Sequence, residues 1–184
     1  MPIQKISRQE LLLKSISTFR EKGYYRTSMR DLAEACGLTK GAFYHHFSSK
    51  EEVMKHCLIF SCNWFKENVY TIAYLPKLTA KEKMSKMSQK LLKTFTTGNG
   101  GCFFANTVIE TSHVEDTFKG ILKEYFQEWE SAMVFILLSK YPEVEAKKLG
   151  KRTIVDIEGS IVLMQLHGDI QYLQDSIDRC IELC

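Results

Sequence analysis

Residues Thr27 to Lys50 read TSMRDLAEACGLTKGAFYHHFSSK, and this stretch decides the fold. Leu32, Ala33 and Cys36 fall at helical spacing behind Ser28, which stands three residues before Asp31 as in a capping box. Gly37 follows, where a helix C-terminus favours a residue that tolerates positive φ. Thr39 can then cap a second short helix, Lys40 to His46, with Phe43 and Phe47 turned to the core. Ala33 permits close helix contact, Gly37 makes the turn, and Leu38 and Phe43 fill the angle between the helices, which is the spacing of a helix-turn-helix. The second helix presents Lys40, Gly41, Tyr44 and His45 outward, and donors beside an aromatic ring suit the major groove of double-stranded DNA.

Outward from this stretch the chain reads as helices throughout. Upstream, Ser7-x-x-Glu10 opens a first helix with Leu12, Ile16 and Phe19 on one face and Gly23 at its end. Downstream, Ser49-Lys50-Glu51-Glu52 opens a fourth, with Val53, Cys57, Phe60, Trp64 and Val69, expected to run to Ala73 ahead of Pro76. Thr79-x-x-Glu82 caps a fifth carrying Met84, Met87, Leu91 and Phe95, followed by the loop Gly98-Asn99-Gly100-Gly101 and a short apolar helix from Cys102 to Thr111. The most regular stripe, Phe118, Ile121, Leu122, Tyr125, Phe126, Trp129, Met133, Ile136 and Leu137, calls for a long helix from Val114 to Lys140. An eighth helix, Val144 to Leu166, carries Ile154, Ile157, Ile161 and Met164; after Gly168-Asp169 a ninth carries Ile170, Leu173, Ile177 and Ile181. No stretch alternates with period two, so the fold class is all-α. About nine helices divide into an N-terminal three-helix domain, residues 1–50, and a helical bundle, 51–184.

The 184 residues carry a net charge of only +3, but its distribution is uneven. Residues 1–50 hold nine Lys and Arg against four Asp and Glu, whereas 51–184 hold sixteen against eighteen. The positive excess lies with the helix-turn-helix, where a footprint on phosphate needs it. Six cysteines form no CxxC pair and no Cys/His cluster, and they read as small buried hydrophobes of a reducing compartment. Adjacent His45 and His46 point about 100° apart on a helix, with no third ligand near, so no metal or other cofactor is expected. Lys5, Arg8 and Glu10 interrupt any N-terminal apolar run and no run of 18 apolar residues follows, so a soluble cytoplasmic protein without a membrane partner is expected. Nucleophile–base signatures are lacking and no Lys-Ser/Thr follows Gly98–Gly101, which argues against an enzyme.

Leu32-Ala33, Gly37-Leu38, Gly41, Tyr44-His45-His46-Phe47 and Lys50-Glu51 together resemble the TetR/AcrR family of bacterial transcriptional regulators. The close match covers the first 50 to 60 residues; beyond them the likeness rests on helix order and on Gly101–Asn106. The resemblance implies that Ser28, Arg30, Thr39, Tyr44, His46 and Lys50 touch the DNA backbone while Lys40, Gly41 and His45 face base edges. The alternative role for Tyr44 and His46 is to brace the small domain. It also implies a homodimer built on the last two helices, through Ile154, Ile157, Ile161, Met164, Ile170, Leu173, Ile177 and Ile181, although the same stripes would serve the chain's own core. In the bundle it implies a small-molecule effector pocket. Trp64, Phe103, Phe104, Phe118, Tyr125 and Trp129 are the aromatic candidates for its walls, and Asn106, Thr107 and Glu110 the polar ones. Aromatic stripes at this spacing are also what an ordinary core looks like. The implied function is a homodimeric repressor released from its operator by an apolar or weakly cationic molecule; a thiol-based redox sensor on the same fold is the alternative. The latter needs an exposed cysteine of low pKa, and only Cys180 has a Lys or Arg beside it in sequence, Arg179.

Overall fold

The computed structural model describes residues 6–98, 101–113 and 116–184. The helices among them are α1 (Arg8–Lys22), α2 (Met29–Ala35), α3 (Lys40–Tyr44), α4 (Lys50–Asn68), α5 (Ala80–Thr96), α6 (Phe103–Thr111), α7 (Lys119–Leu137), α8 (Glu143–His167) and α9 (Gln171–Glu182). A 3-10 turn, Tyr70–Tyr74, lies between α4 and α5. No described residue lies in a strand. Among the described residues no helix is long and apolar enough to cross a membrane.

The chain packs as two compact units, residues 1–61 with 103–122 and residues 62–102 with 123–184, rather than dividing at residue 50. In the first unit the Ser7–Glu10 capping box forms at both ends: the Glu10 N–H donates to Ser7 Oγ (3.2 Å), and the Ser7 N–H to Glu10 Oε2 (2.9 Å). Gly23 closes α1 at φ +78°, donating its N–H to Phe19 O at 2.8 Å. Leu11, Phe19, Leu32, Phe43, Phe47 and Val53 are buried and form the core on which α1, α2, α3 and the start of α4 converge. α6 packs against α1, which brings residues from beyond position 100 into the unit that carries the helix-turn-helix.

In the second unit α8 lies along α9, and α5 packs on both α9 and the 3-10 turn. Met84, Met87, Leu91, Tyr125, Trp129, Met133, Ile157 and Leu173 fill its interior. Gly150 of α8 faces α7 so closely that a Cβ there would stand 2.7 Å from Val134 Cγ2, so the two helices meet at a residue without a side chain.

Three helix boundaries differ from the sequence reading. α3 stops at Tyr44, where the chain turns toward the buried Phe47. α4 ends at Asn68 instead of Ala73: Val69 still bonds back to Phe65 O at 2.8 Å but with φ widened to −117°, and Lys90 Nζ donates to the exposed Asn68 carbonyl at 2.6 Å. The tighter 3-10 winding then buries Tyr70, Ile72 and Ala73 together. α7 begins at Lys119 behind Phe118, whose carbonyl accepts from the Leu122 N–H at 3.0 Å; the expected start at Val114 lies outside the described residues, as do Asn99 and Gly100. The capping box of α4 is also split. Ser49 Oγ accepts from the Glu52 N–H (3.1 Å), but the Glu52 carboxylate takes the N–H of Ser48 (2.6 Å).

Candidate functional site

The turn between α2 and α3 is built from backbone hydrogen bonds. The Leu38 N–H reaches Ala33 O at 2.9 Å and the Gly37 N–H reaches Glu34 O at 3.0 Å, the paired bonds of a Schellman ending with Gly37 at φ +70°. A Cβ on Gly37 would meet nothing within 4 Å, so it is the left-handed backbone alone that calls for glycine. Thr39 then caps α3, its Oγ1 accepting from the Ala42 N–H at 3.2 Å. Burial of Phe43 and Phe47 fixes which side of α3 is inward, and Lys40, Gly41, Tyr44, His45 and His46 are consequently exposed. Lys40 Nζ lies 5.8 Å from the centre of the Tyr44 ring, and α3 has no acidic residue in its first turn. Gly41 has open space where a Cβ would stand, which leaves room for a base edge or a phosphate to approach the backbone. Arg30, on α2, is exposed and pairs with Glu34 at 2.7 Å, a surface pair that an outside anion can displace at little cost.

Two of the expected backbone contacts are already engaged inside the chain. Ser28 Oγ accepts from the Asp31 N–H and gives its own proton to the Asp31 carboxylate, so it serves as the cap of α2. Lys22 also pairs with Asp31 and, with the Ser28 bonds, holds that carboxyl well below the usual range. Lys50 Nζ donates to Tyr24 O at 2.8 Å and stands 4.4 Å from the centre of the Tyr24 ring, so it clamps the α1–α2 turn.

Glu110 also belongs to that turn rather than to a pocket wall. Its Oε2 accepts from the Tyr24 N–H at 2.7 Å and the Tyr25 N–H at 3.4 Å, and its carboxylate lies 2.7 to 2.8 Å from where a Gly23 Cβ would be. Phe118 packs edge-on against Tyr24, ring centres 5.3 Å apart. Phe103 and Phe104 are buried, Asn106 is half-buried, and the Thr107 hydroxyl donates to Phe103 O within α6. These six candidates lie in the first unit. Trp64, Tyr125 and Trp129 lie in the second. Trp64 is exposed and edge-on to Phe65, so it is not interior, whereas Tyr125 and Trp129 are fully buried.

Around Tyr125 the rings form a continuous set: Phe65 at 5.2 Å, Tyr70 at 6.1 Å and Trp129 at 6.1 Å, with Phe95 at 6.2 Å from Trp129. In the same unit Trp129 Nε1 is shut off from solvent without a hydrogen-bond partner, and the Tyr70 hydroxyl and Glu158 Oε1 are equally shut off, the Tyr70 hydroxyl facing that of Tyr125. Burial pushes Glu158 up to about 7, against which the Cys102 thiol supplies a hydrogen bond, and both phenols are raised well above their ordinary value by burial. Tyr70, Cys102 and Glu158 were not among the expected site residues. The signal for Glu158 lay in the sequence: it stands four residues after Ile154 and three before Ile161, a carboxylate on an apolar stripe. A separate open groove of the second unit, lined by Tyr74, Glu128, Val134, Phe135, Leu138 and Lys151 among others, includes none of the expected residues.

The stripe expected to form a dimer seam is divided. Ile157, Ile161, Leu173 and Ile177 are buried in the chain's own core, where α8 and α9 pack together, and they have no surface left for a second chain. Ile154, Met164 and Ile181 are half-buried and Ile170 is exposed. The apolar face that α8 leaves open is the next one round: Val155 (69% exposed), Val162 (57%), Leu163 and Leu166 (73%), with Gly159 in line and nothing within 4 Å of its Cβ position. Steps of four, three and four residues from 155 through 159 and 162 to 166 place these on one side of the helix.

A helix-turn-helix with a bare outward helix, followed by a helical second unit, defines a class of DNA-binding regulators. The family model described as bacterial regulatory proteins of the tetR family matches residues 11–57, and that described as the LmrA/YxaF-like transcriptional regulator C-terminal domain matches 80–179. The chain belongs to the TetR family of bacterial transcriptional regulators, which are not enzymes. It is 28% identical over 123 residues to the HTH-type transcriptional repressor DhaR of a Mycobacterium species, covering 66% of this chain and 61% of that protein. To the HTH-type transcriptional repressor KstR2 of Mycolicibacterium smegmatis it is 38% identical over 64 residues, covering 34% of this chain and 31% of that protein. A TetR transcriptional regulator from Legionella pneumophila shares the fold with a TM-score of 0.87 at 20% identity, covering 98% of both chains.

Proposed function

We propose that the chain is a cytoplasmic, homodimeric repressor that binds an operator through α3 and leaves it when a small molecule enters the second unit. The observation that carries this reading is the outward face of α3, where Lys40, Tyr44, His45 and His46 stand exposed on a helix fixed by Gly37 and Phe43. Arg30, Thr39, Tyr44 and His46 would take phosphates, while Lys40, Gly41 and His45 would meet base edges. DhaR and KstR2, named as repressors, support the sign of the regulation. The thiol alternative finds little support: burial pushes Cys62 up to about 11 and Cys180 up to about 12, and raises Cys36, Cys57 and Cys184, which keeps the sulfurs as unreactive thiols.

Selection of bound sequences from a random DNA pool tests the proposal directly. A defined site with two half-sites is expected, and Lys40→Ala should change the preferred base at one position by about 1–3 kcal/mol. Absence of any enriched sequence overturns the reading. The dimer is expected on the open face of α8, so Val162→Asp should give a folded monomer in sedimentation, whereas Ile157→Asp should fail to fold because it places a charge in the core. A Val162→Asp variant that keeps its dimer mass moves the interface elsewhere.

A further inference from the structure

The outward side of α3 is chemically narrow. Lys40, Gly41 and Tyr44 are exposed on it, with His45 directly after, and the helix, KGAFY, holds no carboxylate and no side-chain amide. The acceptors here are the Tyr44 hydroxyl and the imidazole, groups that can donate as well as accept. Lys40 alone is committed, because an ammonium has three donors and no acceptor. The cations nearby are engaged elsewhere. Arg30 is paired with Glu34 at 2.7 Å and Lys50 donates to Tyr24 O at 2.8 Å. Among the described residues the Lys40 ammonium meets only the Tyr44 ring, 5.8 Å from its centre.

Lys40 and Tyr44 stand four residues apart, about one helical turn, so ring and ammonium share one side of α3. A cation within about 6 Å of a ring centre is attracted to its face. That attraction draws the lysine along the helix instead of letting it extend sideways. Gly41 lies between the two and has nothing within 4 Å of its Cβ position, so no side chain there keeps a base pair away from the ammonium. Lys40 is also the first residue of α3, the part of the second helix from which a helix-turn-helix contacts base edges.

The bases differ in what they offer such a donor in the major groove. Guanine shows two neighbouring acceptors, O6 and N7; adenine sets an amino group beside N7, thymine has O4 beside a methyl, and cytosine presents a donor. An ammonium can bridge both guanine acceptors, whereas on adenine or cytosine it meets a repelling N–H. We propose that Lys40, aimed by the Tyr44 ring, reads a guanine in each half-site of the operator. Lys40 is then the base-contacting residue and Tyr44 its positioning residue. This deepens the reading of α3 as the DNA-contacting helix and rests on it.

Sequences that the intact protein selects from a random DNA pool should carry a G·C pair at one fixed position of each half-site. Lys40→Ala should lose the preference at that position alone. Lys40→Gln should move it to A·T, because an amide matches N6 and N7 of adenine. On the selected operator, 7-deazaguanine at that position removes N7 and should weaken wild-type binding about fivefold or more, with no effect on Lys40→Ala. Inosine keeps O6 and N7 and should bind as guanine does. Tyr44→Phe keeps the ring and should keep the guanine, whereas Tyr44→Ala should lose it; both side chains are exposed, so these variants should fold. Equal weakening of all sequences by Lys40→Ala would make Lys40 a phosphate contact and overturn the proposal. So would 7-deazaguanine bound as tightly as guanine. A guanine preference that survives Tyr44→Ala overturns the positioning role. If the wild type enriches a site that does not respond to Lys40, the DNA-binding reading stands and this proposal fails. If it enriches no sequence at all, both fail together.

Discussion

Around Tyr24, in the first unit, polar groups are paired: its N–H is taken by Glu110, its carbonyl by Lys50, and the neighbouring α2 cap by Ser28 and Asp31. In the second unit the pairing is weaker: the Tyr70 phenol faces that of Tyr125, the Glu158 carboxyl has the Cys102 thiol, and the Trp129 indole N–H is buried without a partner. Both regions are rich in aromatic rings and both hold carboxyl groups, so composition does not separate them. Satisfaction does. A saturated network holds its members in one arrangement, because any shift breaks several bonds together. An unsaturated one is higher in free energy than it need be, and a ligand that supplies the missing partners is bound with that difference in its favour. The first region is therefore suited to carrying the position of α6 to the α1–α2 turn.

The largest effect is expected where the saturated network is broken. Gly23 sits at φ +78° and ψ 166°, a backbone region that is essentially glycine's, and a Cβ there runs into the Glu110 carboxylate. Gly23→Ala should cost about 3 kcal/mol or more, measured as a lowered urea midpoint. A variant of near-native stability would mean that the Glu110 clamp is loose. Glu158→Gln sharpens the other side. Its folded carboxyl titrates near 7 against an ordinary value of 4.5, so the folded state holds the proton more firmly than the unfolded chain does. Wild-type stability should therefore decline relative to Glu158→Gln as pH rises from 4.5 to about 7 and stay level above, by up to about 3 kcal/mol. Parallel stability curves for the two proteins across that window would show that Glu158 is not desolvated in solution.

Much of the molecule was legible in advance because helices report themselves by period and caps. Ser7, Ser28 and Thr79 cap the helices that their spacing with Glu10, Asp31 and Glu82 calls for. The α2–α3 turn was equally readable, since Gly37 has one backbone use there. What sequence could not give was which of two apolar stripes on α8 faces inward. Ile157 and Ile161 repeat at helical spacing, and so do Val155, Val162 and Leu166, and only the position of α9 decides between them. What Glu110 and Lys50 touch within the chain was hidden for a related reason. Their partners are backbone groups of Tyr24, 86 and 26 residues away, and a backbone N–H or carbonyl leaves no mark in a sequence.

Lys50 offers the smallest and most discriminating test, since it can be either a clamp or a phosphate contact. As a clamp, its ammonium holds Tyr24 O at 2.8 Å and the Tyr24 ring at 4.4 Å, and its stem is half-buried. Lys50→Met keeps the stem and removes the charge, so the expected loss is that of one charged hydrogen bond and one cation–π contact, about 1–2 kcal/mol in urea unfolding. As a phosphate contact, the same change would instead reduce the slope of log affinity against log salt on a selected operator by about 1. We expect the first result without the second: in the structure the ammonium stays on the turn, and leaving it would expose the Tyr24 carbonyl that Glu110 fixes from the other side. A slope lowered by about 1 at unchanged stability would assign Lys50 to the DNA backbone and make the α1–α2 turn dependent on Glu110 alone.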